Sequence, residues 1–182
     1  MTLFKLREIV LTASTGALQL RGRSVIRTYP ASSLSFRRIS ADKRFHAGIL
    51  EDPAHPPPDD MWVMTDDPRE APNEPTDITI HFEKGIPTKL VTPRGEHTDS
   101  VDLFSTLNKI GKIHGIGRID IVENRLIGLK SRGCYDSPAM TILRLAHLDL
   151  EGLVLDGQVR ALRDLFVTPT WSSLLYNGMY FS

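Results

Sequence analysis

Ile113-His-Gly-Ile-Gly-Arg-Ile-Asp-Ile-Val-Glu-Asn-Arg-Leu-Ile-Gly-Leu-Lys-Ser-Arg-Gly-Cys-Tyr135 is the stretch on which the fold turns. Ile119 and Ile121, with Val122 beyond them, read as one strand; Leu126, Ile127 and Leu129 read as the next. Glu123-Asn124-Arg125 is left to connect them. Gly115 and Gly117 permit tight backbone geometry, and free N–H groups there could meet a phosphate. Neither G-x-x-x-x-G-K-S/T nor G-x-G-x-x-G is present, and a strand rather than a helix follows, so a bend that redirects the chain is the preferred reading. Among the hydrophobes sit Arg118, Asp120, Glu123, Asn124, Arg125, Lys130, Ser131, Arg132 and Tyr135. A solvated strand face accounts for part of this set. Charges of both signs on a loop between buried strands are costly unless paired or used. Opposite charges so placed can bind a zwitterion, a carboxylate taking its ammonium and an Arg or Tyr its carboxylate.

Moving outward toward the N-terminus, Ile78, Ile80 and Phe82 alternate with Thr79 and His81, Lys84-Gly85 supplies a turn, and Ile86 to Val91 returns as a second strand. Pro87 makes that strand an edge or places a bulge in it. His81 reads as a solvated cross-strand residue, since no second His or Cys is spaced to join it on a metal. Asp99 or Ser100 caps a helix with Val101, Phe104, Leu107 and Ile110 at helical spacing, and Gly111 is expected to end it. Between Glu51 and Pro75 the prolines exclude long elements, with Met61-Trp62-Val63-Met64 as one candidate strand. Beyond the central stretch, Pro138 opens a long apolar helix, Val154 to Phe166 form a second, and a short third surrounds Trp171 to Tyr176. These elements predict an α+β fold. Strands near 60–65, 77–92 and 115–131 form a mostly antiparallel sheet, packed by a helix at 100–111 and by C-terminal helices.

Composition sets the outer bounds. The chain of 182 residues carries 22 Lys and Arg against 22 Asp and Glu, a balance that argues against a dedicated nucleic-acid binder. No apolar run reaches the length a membrane span requires. One cysteine, Cys134, excludes an intramolecular disulfide and a multi-cysteine zinc site and fits a reducing, cytoplasmic setting. The neutral total hides a split: residues 1–46 hold nine basic and two acidic residues, a net of plus seven, and the remainder balances it. This basic, Ser- and Leu-rich part has no sustained period. Residues 1–45 are therefore expected to be a poorly structured or unrelated segment, a reading preferred over an organellar transit peptide.

His114 to Tyr135 resembles the signature segment of the argininosuccinate synthase family. Ala47-Gly-Ile-Leu-Glu-Asp-Pro53, His81-Phe-Glu-Lys-Gly-Ile-Pro87, Thr141-Ile-Leu-Arg144, His147-Leu-Asp-Leu-Glu151 and Leu175-Tyr-Asn-Gly178 resemble further family segments in the family order. The likeness assigns residues 46–182 to a C-terminal synthetase and multimerisation domain. It implies AMP-forming ligation of citrulline to aspartate in arginine biosynthesis, with ATP and Mg2+. The citrulline ureido oxygen would attack the α-phosphate, and the aspartate amine would then displace AMP. Two family citrulline-binding positions match Glu123 and Tyr135. No catalytic residue, cofactor-binding residue or metal ligand carries over.

The departures are as specific as the matches. The family's Ser-Gly-Gly-x-Asp phosphate loop has no counterpart, and Ser14-Thr15-Gly16 is no substitute. Arg44-Phe45-His46 stands where the family has Ser-Tyr-Glu. Asp136-Ser137-Pro138-Ala139-Met140 and Asp156-Gly157-Gln158 drift from the family pattern, and the family continues past Phe181-Ser182 into an arm used in tetramer assembly. The expectation is the citrulline-binding half of a homo-oligomeric ligase, inactive without a nucleotide domain. The alternative is a non-catalytic interaction fragment using the apolar C-terminal helices and the Tyr176–Phe181 patch.

Overall fold

The structure, a computed structural model, describes residues 8–14, 17–20, 43–45, 48–124 and 128–181. Its strands are β1 (Glu8–Ser14), β2 (Ala17–Leu20), β3 (Lys43–Phe45), β4 (Thr76–Glu83), β5 (Ile86–Thr92), β6 (Gly95–His97), β7 (Arg118–Asn124) and β8 (Lys130–Asp136). Its α-helices are α1 (Ser100–Ile113), α2 (Pro138–Val154), α3 (Gly157–Leu162) and α4 (Thr168–Tyr176). The fold is α+β, and every strand pairing is antiparallel. The strands divide between two sheets, one ordered β2-β1-β4-β5-β6 and one ordered β3-β8-β7.

The alternation in β4 buries Ile78, Ile80 and Phe82 and leaves Thr79 and His81 half-buried on the opposite face. Lys84 and Gly85 both take positive φ, the requirement of a two-residue type I′ hairpin turn. Register shifts by one residue opposite His81 and Phe82, so Pro87 sits beside a bulge and outside the stretch of β5 paired with β6. Onto the apolar face of this sheet pack Leu103 and Leu107 of α1 and Ala139, Ile142, Ala146 and Leu150 of α2. Burying each larger aliphatic side chain contributes about 1.5–3 kcal/mol.

Asp99 caps α1, its carboxylate accepting from the N–H groups of Val101 and Asp102 at 3.0 and 2.9 Å. The helix does not stop at Gly111. It runs to Ile113, and Gly115, at φ 64°, closes it: Gly115 N–H donates to the Lys112 carbonyl and Ile116 N–H to the Gly111 carbonyl. That is a Schellman motif with a buried Ile116 beyond it. Gly111 instead serves packing, because a Cβ there would lie 2.6 Å from Pro138 Cβ.

Met61 to Met64 form no strand; Met61 ends a 3-10 turn and the rest is a bend. Surrounding prolines deny this stretch a ladder, and side chains from other elements hold it and the two residues after it instead. Asp136 Oδ2 accepts from Met64 N–H at 2.6 Å, Arg118 donates to the Thr65 hydroxyl and carbonyl, and Lys112 meets the Asp66 carboxylate. The second and third C-terminal helices expected from the sequence are one helical run, Gly157 to Tyr176, interrupted by a π-helical turn at Arg163–Val167. Pro169 follows the wide turn and has no N–H for a regular helical bond. The expectation of a poorly structured N-terminus falls largely outside the described residues. The strands described there are β1, beside β4, with β2 paired to it, and β3.

Candidate functional site

In the β7–β8 pair, Glu123 lies opposite Ser131, Ile121 opposite Gly133 and Ile119 opposite Tyr135. The two-residue strand period puts these six on one face. Glu123 and Tyr135 therefore share a face, and the Tyr135 hydroxyl donates to Glu123 Oε1 at 2.5 Å. The bond runs diagonally over Gly133, and both side chains are half-buried. This placement corrects the expected strand boundaries. Glu123 and Asn124 belong to β7 rather than to a loop, Leu129 precedes β8, and Leu126 and Ile127 lie outside the described residues. Pairing on both flanks, to β3 and β7, makes a strand of Lys130–Asp136 although its apolar pattern is weak.

The opposite face carries the other charges. Arg132 forms a fork with Asp120, at 2.6 and 2.8 Å, and donates from Nη1 to the Pro53 and His55 carbonyls. The Asp120 carboxylate raises the Arg132 pKa above its ordinary value. Arg118 stacks over Trp62 at 5.0 Å while holding Thr65. Arg118, Asp120 and Arg132 are thus spent on binding the 53–65 segment to the sheet. The zwitterion-binding set read from spacing reduces, on the other face, to Glu123 and Tyr135, with Ser131 buried beside them. Asn124 and Lys130 are exposed, and Arg125 lies outside the described residues.

Other groups are withdrawn from solvent. Cys134 is fully buried, and burial pushes its thiol up to about 11, which makes it a poor nucleophile. Asp136 is fully buried with Oδ1 unpartnered, and His114 is buried with Nδ1 unpartnered while Nε2 meets Thr76 Oγ1 at 2.9 Å. Burial lowers the His114 pKa below its usual value. On the far side of β8, Arg44 is the register partner of Tyr135, so the segment that departs from Ser-Tyr-Glu borders the site.

The glycine turn before β7 does not fit a nucleotide phosphate. A Cβ at Gly115 would lie 3.0 Å from Pro68, and one at Gly117 2.7 Å from Pro138 backbone, so chain crossings fill the space a phosphate would need. Among the described residues no group of three or more His, Cys, Asp or Glu could hold a metal ion, and no helix is long and apolar enough to cross a membrane. His81 stands opposite Lys89 in strand register. Sequence reasoning passed over Gly133, although a glycine inside a strand marks a close approach.

An antiparallel α+β domain with this acid–phenol pair matches the family described as arginosuccinate synthase C-terminal domain over residues 37–182. Argininosuccinate synthase of Schizosaccharomyces pombe is 57% identical over 138 residues, covering 76% of this chain and 34% of that protein. The argininosuccinate synthases of Saccharomyces cerevisiae and Thermotoga maritima are each 51% identical, covering 76% and 75% of this chain and 34% of each relative. The chain belongs to the argininosuccinate synthase family. It spans about a third of the length of these curated relatives.

Proposed function

We propose that this chain is the citrulline-binding half of an argininosuccinate synthase, an AMP-forming carbon–nitrogen ligase of arginine biosynthesis. One observation carries the reading: Glu123 and Tyr135, the two positions that match family citrulline contacts, meet on one sheet face. The Glu123 carboxylate accepts from the substrate ammonium, and the Tyr135 phenol orients that carboxylate while bordering the same ligand. Because the two groups bond each other, they receive one polar end of citrulline rather than its two opposite ends. ATP with Mg2+ and aspartate are held by a nucleotide-binding domain, and no step of adenylation is assigned to residues of this chain. We place the protein in the cytoplasm, working as a homo-oligomer, with residues 46–182 as the synthetase and multimerisation domain, to whose sheets the N-terminal segment adds β1, β2 and β3.

Calorimetric titration of the chain with citrulline tests the pocket. Binding is expected in the wild type and about tenfold weaker in Glu123→Gln, the scale of one charged hydrogen bond. Equal affinity in the two proteins removes Glu123 from the site. Incubation with citrulline, aspartate and ATP is expected to release no AMP.

A second reading, a non-catalytic interaction fragment, is favoured by the apolar surface of the C-terminal run. Leu162, Leu165, Phe166, Trp171 and Phe181 are all exposed, Phe181 by 96%. Sedimentation as a monomer at every concentration, with no co-assembly with a full-length synthase, would remove it.

A further inference from the structure

We propose that Gly133 is the positioning residue of the ligand site, holding open the space through which the Glu123 carboxylate reaches Tyr135. The inference rests on the reading of Glu123 and Tyr135 as the citrulline site. Gly133 is buried at the middle of β8, opposite Ile121 and between Ser131 and Tyr135 on their own face. A Cβ built on it would lie 2.6 Å from Glu123 Oε1, 3.2 Å from Glu123 Cδ and 3.0 Å from Tyr135 Cε2. The carboxylate and the phenol ring thus both close over the bare backbone. No conformational demand explains the glycine, because Gly133 is not among the positive-φ residues and its strand backbone suits any amino acid. What excludes a side chain is the room taken by the two ligand-facing groups.

The nearest obstruction is the free end of a flexible side chain rather than backbone. A methyl group at 133 is therefore accommodated by rotation of Glu123 away from Tyr135, with β8 kept intact. Placement of the acid is lost while the fold remains, a separation that a purely structural glycine would not produce.

The test uses the full chain with ring-labelled tyrosine, the Tyr135 resonance being assigned by its loss in Tyr135→Phe. Gly133→Ala is expected to melt close to the wild type, to move the Tyr135 ring resonance as Glu123→Ala does, and to bind citrulline about tenfold more weakly. The double variant Gly133→Ala/Glu123→Ala is expected to add nothing further, because both changes remove the same contact. A Tyr135 resonance unmoved by Gly133→Ala overturns the proposal, as does a double variant whose effects on that resonance simply add. Absence of citrulline binding by the wild-type chain would overturn the ligand reading instead, and the resonance would still decide the role of Gly133.

Discussion

Asp136 is a carboxyl group without solvent exposure, and what it secures is a backbone N–H a long way off in sequence. Met64, in a segment that has no strand to bond, gives its amide hydrogen to Oδ2. Truncation to alanine leaves that half-buried donor without its acceptor, a loss of about 1 kcal/mol. We expect Asp136→Ala to lower the urea midpoint and Asp136→Asn, which keeps an amide oxygen for Met64, to recover much of it. His114 adds a pH dependence. Burial depresses its folded pKa below 6.5, so at mildly acidic pH the unfolded chain binds the proton that the folded chain refuses. The resulting stability is complete above about 6.5 and declines as pH falls toward the lower folded value. His114→Gln should flatten that part of the stability profile, read as melting temperature between pH 7.5 and 5. Spacing left Glu123 and Tyr135 among nine polar residues, and only the family resemblance singled out the two as a pair. Their mutual hydrogen bond was not legible, because it depends on a diagonal across two strands whose boundaries the apolar pattern misplaced.

Helix α1 illustrates what single elements owe to their neighbours. Asp99 as its cap was readable locally, since the side chain bonds its own first turn. The far end was not. Two glycines compete to stop the helix, and the one that continues it is explained by Pro138 on another element. Gly111→Ala therefore inverts the usual preference for alanine in helices. Propensity favours the change by about 1 kcal/mol, but the added methyl meets a rigid ring and forces α1 from α2 at about 1–3 kcal/mol. A fall in melting temperature is the expected result; a rise would show that the two helices separate without cost. The strand expected at Met61–Met64 fails for a related reason. A short apolar run forms a strand when an edge is available to pair it, and here side chains of β8 and α1 take its polar groups first, with Arg118 of β7 holding the next residue, Thr65.

At the level of the molecule, α+β class and antiparallel pairing followed from alternation, turn residues and helical spacing, all of which are local. The division into two sheets, and the pairing of β1 with β4, join residues too far apart in sequence for any local pattern to reveal. The apolar C-terminal run yields a prediction at this scale. If it is an assembly surface, Phe166→Lys together with Leu165→Lys should abolish concentration-dependent association in sedimentation while leaving citrulline affinity unchanged. Dissociation accompanied by loss of affinity would mean that association and the pocket depend on each other.

The same run is tied to the body through Glu151, whose carboxylate receives Arg163 at 2.7 and 2.8 Å and also meets His147 at 3.1 Å. Arg163 in turn belongs to the π-helical turn, where helical geometry is already irregular. Fastened through that cluster, the tail can drift in sequence and take on new quaternary arrangements while the acid and phenol, anchored in a separate sheet, keep their alignment.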